Sequence, residues 1–407
     1  MCFSLCVTVN KPSSQDTEEV NKKGGWKLLI KNPNTDIITA CSSVCMTLMK
    51  ESRNSLRKEV SLYIERIMLV KKWILAMGLI ICLIIVGAIV KINNEIRLPY
   101  VYIDGTPYID VTEPSLSYHA VYDEIDRQLH LAVRDNLYIF TEGITVAQIN
   151  EKFVPLKKND FLTKNRNSYV TAEFLLKNEP KLFTKKPAYL LAKKQEAKEE
   201  IIEVAAAKQF TVEEVSQYFQ TLRSPLKGAK ADIFPSHIPG APRTYRYGFH
   251  EGLDWYTYSA GTDVNRRTPV YAMGEGTVVR VDHEYKPYES ERERKKDLAY
   301  CKTVQRTPQY ILDKLRGRQV WVQFDNGMQA RFAHLDLVSE RLKVGSRVTE
   351  DTQVGYVGNS GTSGEVKKDD TELHLHVDLL IKGVLFWKGL SKEEIQHVVA
   401  NELSQSL

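Results

Sequence analysis

Leu373-His374-Leu375-His376-Val377-Asp378-Leu379 holds the densest chemistry in this chain. Apolar residues recur at every second position, which predicts a β-strand. Residues two apart on a strand share a face, so His374 and His376 stand side by side while Leu375 and Val377 face a core. Candidate partners for the two imidazoles lie upstream, in His250-Glu251-Gly252-Leu253-Asp254 and in Phe332-Ala333-His334-Leu335. A borderline ion such as Zn²⁺ takes imidazole nitrogen and carboxylate oxygen, and a catalytic site uses three protein ligands plus water. His250, Asp254 and one of the strand histidines complete such a set. His334 and the other strand histidine are then free to handle protons.

The elements that must position these residues are strands. Pro269–Met273 leads through Gly274-Glu275-Gly276 into Thr277–Val281, and Gln319–Phe324 and Met328–Phe332 flank the hairpin turn Asp325-Asn326-Gly327. Gln353–Val357, the histidine strand and Val384–Trp387 follow. Strands at this density predict an all-β sandwich or open barrel. Residues 284 to 317 interrupt it with a charged helical insertion, Glu289 to Lys296 and Pro308 to Leu315, expected at a loop tip where it can wall one side of a cleft.

The order Arg246-x-x-x-His250-x-x-x-Asp254, Ala333-His334-Leu335, Val357-Gly358-Asn359-Ser360-Gly361 and His374-x-His376 resembles the lysostaphin/LytM family of zinc metalloendopeptidases. Thr268-Pro269-Val270, Gly274-Glu275-Gly276-Thr277-Val278 and Val344-Gly345-Ser346-Arg347-Val348 support the resemblance, which covers roughly 224 to 388. It implies a mainly β catalytic domain whose antiparallel sheets form a groove, with His250, Asp254 and His376 on zinc and His334 and His374 as catalytic histidines. The implied activity is hydrolysis of peptide bonds in peptidoglycan stems or cross-links. The insertion at 284 to 317 and the long, charged stretch Gly364 to Thr371 depart from the family pattern and bear on substrate preference. The alternative is a catalytically silent regulator or scaffold of other cell-wall hydrolases. Relatives of that kind generally lack one or more of these five residues, and all five are present.

The rest of the chain is expected to deliver this domain to its place. Trp73 to Val90 is an uncharged apolar run whose 18 residues span roughly 27 Å as a helix, enough for a bilayer. It lacks the small residues of a cleavable signal and predicts an uncleaved transmembrane anchor. Arg53, Arg57, Lys58, Arg66, Lys71 and Lys72 precede it, so residues 1–72 belong in the cytoplasm and the catalytic domain outside, on a single-pass cell-membrane protein. Met68-Leu69-Val70-Lys71-Lys72 also reads as a protein start, with the earlier residues an artefact. Cys2-x-x-x-Cys6 and Cys41-x-x-x-Cys45 match no zinc pattern, and with Cys301 alone beyond the anchor no disulfide forms there.

Residues 92–165 predict a small α+β membrane-proximal domain with a hairpin at Asp104-Gly105, mixed helix and strand cues over Asp123 to Asp135, and His119 and His130 without partners at ligand spacing. A helical spacer is expected over 187–222, with helix formers at Glu196–Val204 and a capping box at Thr211–Glu214. Ser224 to Arg246, rich in proline and glycine, predicts an extended connection in which His237 is structural, and 389–407 a helical tail. The linker or the 92–222 region is a candidate cover for the groove, in which case a fragment from Ser224 outperforms one from Lys91. The formal net charge of +5 suits an anionic membrane or wall, and is too weak to argue for nucleic acid.

Overall fold

The computed structural model describes residues 35–113, 115, 117–194 and 209–403, in two units, Met1–Ala88 and Ile89–Leu407. The Cys2/Cys6 pair and the Glu196–Val204 stretch lie outside the described residues. In the first unit a single helix begins at Thr35 and runs on to Asn93. Trp73, Leu75, Leu79 and Ile84 on its different sides are all exposed. An amphipathic helix of a globular domain buries one apolar stripe, whereas this one is apolar on all sides over its span and buries none of it. Among the described residues it is the one helix long and apolar enough to cross a membrane.

The second unit is a mixed α/β assembly of open antiparallel sheets. Glu95–Pro99, Tyr189–Lys193 and Phe183–Lys185 form one, and Val101–Ile103, Thr106–Asp110, Asn167–Thr171 and Phe161–Lys164 another. A five-stranded meander follows in chain order: His119–Asp123, Gln128–Val133, Asn136–Thr141, Val146–Ile149 and Lys152–Pro155. The mixed cues at Asp123 to Asp135 thus resolve into strands. The expected helical stretch from Pro187 is also corrected. Tyr189–Lys193 is a strand that buries Leu190 and Ala192 and pairs with Glu95–Pro99, so long-range pairing overrides local helix propensity. The capping box forms as its sequence predicts, Thr211 starting the helix Val212–Phe219.

The site rests on a seven-stranded sheet whose path runs Leu253–Trp255, Leu375–Ile381, Met328–Ala333, Val320–Phe324, Gly276–Val281, Arg347–Val348, with Val384–Leu385 added to Leu375–Ile381. Pro269–Tyr271, Gln353–Tyr356 and Leu337–Val338 form a smaller sheet beside it. The sheets stay open rather than closing into a sandwich or barrel. One face packs the main core of Leu253, Trp255, Phe332, Val377 and Leu379, which the helix Lys392–Glu402 joins through Ile395, Val398 and Val399. On the other face the meander docks: Val146 and Phe153 pack with Val279, Trp321 and Leu380, and the Phe153 N–H donates to Gln323 Oε1 at 2.9 Å.

The insertion is more than a loop tip. Its helices Glu291–Val304 and Gln309–Arg316 enclose a small core of Tyr288, Cys301, Ile311 and Leu315, which leaves Cys301 buried and unpaired.

Candidate metal centre

The histidine strand begins at Leu375, and all seven of its residues through Ile381 are buried. Leu375, Val377, Leu379 and Ile381 enter the main core, so His376, Asp378 and Leu380 take the opposite face. His374 sits just before the strand, bridged to Gly358. Antiparallel pairing sets Asp254 directly opposite His376, and on the strand's other side Ala333 opposite the same histidine, which brings His334 next to it. His250 reaches the same point because the turn before Leu253–Trp255 folds tightly onto the strand. Gly252 makes this possible: a Cβ there would lie 2.2 Å from the Val377 carbonyl oxygen.

Three ligand-type atoms converge. His250 Nε2 lies 3.1 Å from Asp254 Oδ1 and 3.1 Å from His376 Nδ1, and His376 Nδ1 lies 2.8 Å from Asp254 Oδ1. Tetrahedral ligands about 2.0–2.1 Å from a small ion stand roughly 3.3 Å from one another. The observed triangle is close to one face of that tetrahedron, and all three residues are buried. This His-Asp-His group is capable of coordinating a metal ion.

The electrostatics agree. His376 Nε2 donates to Asp378 Oδ1 at 2.7 Å, which fixes the ring and leaves Nδ1 facing the triangle. Burial disfavours a charged His376, yet its bonds to Asp254 and Asp378 outweigh burial and push the imidazole up to about 9. Burial likewise opposes the Asp254 charge, but His250 and His374 hold its carboxyl well below the usual carboxylate range. The site therefore favours positive charge at the meeting point of the three atoms. Asp378 is fully buried and is itself paired with Arg316 at 2.7 Å and Arg331 at 3.5 Å. No comparable bond steadies His250, whose buried Nδ1 has no partner among the described residues.

His334 and His374 flank the triangle with a shared orientation. Nδ1 of His334 donates to the Ser360 carbonyl and Nδ1 of His374 to that of Glu372, each at 2.7 Å, which leaves both Nε2 atoms as acceptors. His374 Nε2 is 3.6 Å from Asp254 Oδ1, and the two rings are 4.7 Å apart. Burial, then the neighbouring His374 and His376, hold His334 well below the ordinary histidine range, and burial lowers His374 too. Both are neutral at pH 7, as proton acceptors must be. Tyr256 stacks on His374 at 4.4 Å and 14°.

A groove of about 470 Å³ opens over these residues. One wall comes from the connection, with His237, Arg243, Tyr245 and Arg246, and another from the insertion, with Arg294, Leu312, Leu315 and Arg316. None of the described residues of 92–222 lines it, whereas residues of the connection do. His237 belongs to the groove wall, where its Nδ1 meets the buried Asp232 carboxylate at 2.8 Å. Sequence reading also passed over Asp378, Arg316 and Tyr256. Only Asp378 carried a signal, two residues after His376 on the same face. His119 and His130 stay in the meander, apart from the group.

The geometry defines a class of site, two imidazoles and a carboxylate gathered by two antiparallel strands and the turn before one of them, beside two neutral histidines. No protein-family model and no curated protein matches the chain. Among solved structures it is similar to lysostaphin in solution, at 20% identity over 39% of this chain and 46% of that one with TM-score 0.24. It is similar to a zinc-containing peptidase from Vibrio cholerae at 12% identity, covering 63% and 53%, TM-score 0.26. For the catalytic domain of lysostaphin from Staphylococcus simulans the values are 16% identity, 45% and 97% coverage, and TM-score 0.26. The chain spans about half the length of the first two. Likeness at these scores carries no argument, so function is read from the site.

Proposed function

We propose that the chain is a membrane-anchored zinc metalloendopeptidase acting on peptide bonds of peptidoglycan stems or cross-links. The observation that carries this reading is the convergence of His250 Nε2, Asp254 Oδ1 and His376 Nδ1 within 3.1 Å of one another. These three residues would hold the ion. Zn²⁺ there supplies Lewis acidity, polarising a scissile carbonyl and acidifying water. The chain's own residues do the rest. His334 and His374 present unprotonated Nε2 atoms beside the triangle, so either can accept a proton and return it to a leaving amine. Asp378 holds the His376 ring in its ligating tautomer, and Tyr256 holds the plane of His374. The insertion and the connection confine a substrate strand between them.

The peptidoglycan assignment rests on the motif resemblance, and the outward orientation on the basic residues before Trp73. The test uses the full chain in detergent, measuring metal content and muropeptide release from purified cell walls beside a His376→Ala control. About one zinc per chain with release absent from the control supports the reading. Zinc uptake without release would favour the regulator or scaffold alternative.

A further inference from the structure

The insertion touches the metal centre at three points. Thr307 Oγ1 donates to the Arg246 carbonyl at 2.7 Å and accepts from Arg246 Nη1, at the foot of the turn that carries His250. Arg316 donates to Asp378 at 2.7–2.8 Å, the carboxylate that orients His376. The Arg316 carbonyl accepts the His334 N–H at 2.8 Å. The last two contacts lie at one end of the eight-residue helix Gln309–Arg316.

The other end of that helix is held from outside the catalytic region. Its N-cap is Pro308, which offers no side-chain bond. Asp126, in the turn joining the first two meander strands, supplies the missing acceptor: its Oδ1 takes the Gln309 N–H at 3.0 Å. A carboxylate at a helix N-terminus is favoured by the helix dipole as well as by the bond. Around it, Arg306 Nη2 reaches both Asp123 oxygens at 2.8–2.9 Å and Asp126 at 3.1 Å. The Arg127 guanidinium lies 4.0 Å from the Tyr310 ring centre.

We infer that the meander turn Asp123–Arg127 is a positioning clamp, setting the helix Gln309–Arg316 so that Arg316 fixes Asp378, and through it the third ligand, for metal binding. Asp126 is its key residue. The inference rests on the metal reading of the site and not on the identity of the substrate. It gives the membrane-proximal region a supporting role, opposite to the covering role expected from sequence, and predicts that loosening the turn weakens the site.

The experiment measures zinc affinity of the full chain by competition with a chromophoric chelator. Asp126→Ala removes both the cap and the ion pair, whereas Asp126→Asn keeps an oxygen for the Gln309 N–H. Val146→Ala is the control, loosening the same docking seam while leaving the Asp126 cap and the Arg306 ion pairs in place. Asp126→Ala is expected to weaken zinc binding about tenfold, the lower end for groups that orient a ligand. Asp126→Asn should restore most of it, and Val146→Ala should lower the melting temperature with zinc affinity unchanged. Parental affinity in Asp126→Ala overturns the clamp, as does an equal loss in Val146→Ala. A parent that takes up no zinc overturns the clamp together with the metal reading. A parent that binds zinc but releases no muropeptide refutes the peptidase assignment and leaves the comparison among variants intact.

Discussion

The five-stranded meander and the seven-stranded sheet are both antiparallel and both carry histidines, yet among the described residues only the larger sheet gathers a ligand set. The difference is in how each is wired. Meander strands pair in chain order, so His119 and His130 meet what lies next to them in sequence, Ala132, Val121 and Ile139. The larger sheet pairs Leu253–Trp255 with a strand more than a hundred residues later, and there Asp254 meets His376. Long-range pairing is costly in loop closure, but it brings together residue types that no local stretch contains. The meander's contribution is mechanical. Its charged turn grips the insertion, and its apolar edge covers the far half of the face that begins with His376.

The strongest way to break this contrast is His376→Ala. It removes the residue in which the register, the ligand set and the Asp378 bond all meet. Zinc content should fall from about one per chain to near zero, and any zinc-dependent hydrolysis with it. Elemental analysis of the purified variant decides. Asp378→Asn comes next. The amide still offers His376 an oxygen, but Arg316 and Arg331 lose their shared counter-charge. Breaking a buried pair costs about 3 kcal/mol, and zinc affinity should drop about tenfold or more. Denaturant titration and chelator competition measure the two separately. Gly252→Ala should destabilise by about 2 kcal/mol, as overpacking of a close approach does, since the Val377 carbonyl must move to admit the Cβ.

Much of this site was readable before any fold was known, because its signals are local. His374 and His376 sit two apart in an alternating strand, and His250 and Asp254 four apart in a short segment. The hairpin at Asp325-Asn326-Gly327 and the Thr211 capping box were equally legible. What sequence could not supply was register. Nothing local says that Ala333 and Asp254 flank the same histidine, that Arg316 of a charged insertion ends beneath Asp378, or that Asp126 caps a helix nearly two hundred residues away. Tyr189–Lys193 shows the same limit from the other side. Its residues suit a helix, and only the distant strand Glu95–Pro99 makes them a strand.

The buried histidines also give the contrast a pH dependence. Burial, then the neighbouring His374 and His376, hold folded His334 well below the ordinary value of 6.5. At pH between that lowered value and 6.5 the unfolded chain binds a proton that the folded chain refuses. The His334 contribution to stability must therefore fall as pH drops below 6.5, levelling off once the folded value is passed, with no change from this group above 6.5. Raised His376 contributes in the opposite sense above 6.5, so the test is a difference: in urea titrations of the metal-free chain at pH 7.5 and 5.5, acidification should be less favourable to the parent than to His334→Gln. An equal change in both proteins would place the titrating group elsewhere.

The smallest effect is expected from His130→Gln, the same loss of an imidazole made in the meander. Burial lowers this histidine too, so it is neutral in the folded chain and its replacement removes no charge. It pairs across the sheet with Val121 and Ile139 and lies outside the ligand triangle. Glutamine retains a polar group of similar length, so stability should change by less than about 1 kcal/mol and zinc content should not change. The outcome matters because Asp126, four residues away, is assigned a role in metal affinity. If His130→Gln lost zinc as Asp126→Ala is expected to, the effect would belong to the meander's general stability rather than to its grip on one helix. If zinc affinity holds while Asp126→Ala weakens it, the clamp is confined to the turn, and the meander's histidines are ordinary residues of a supporting sheet.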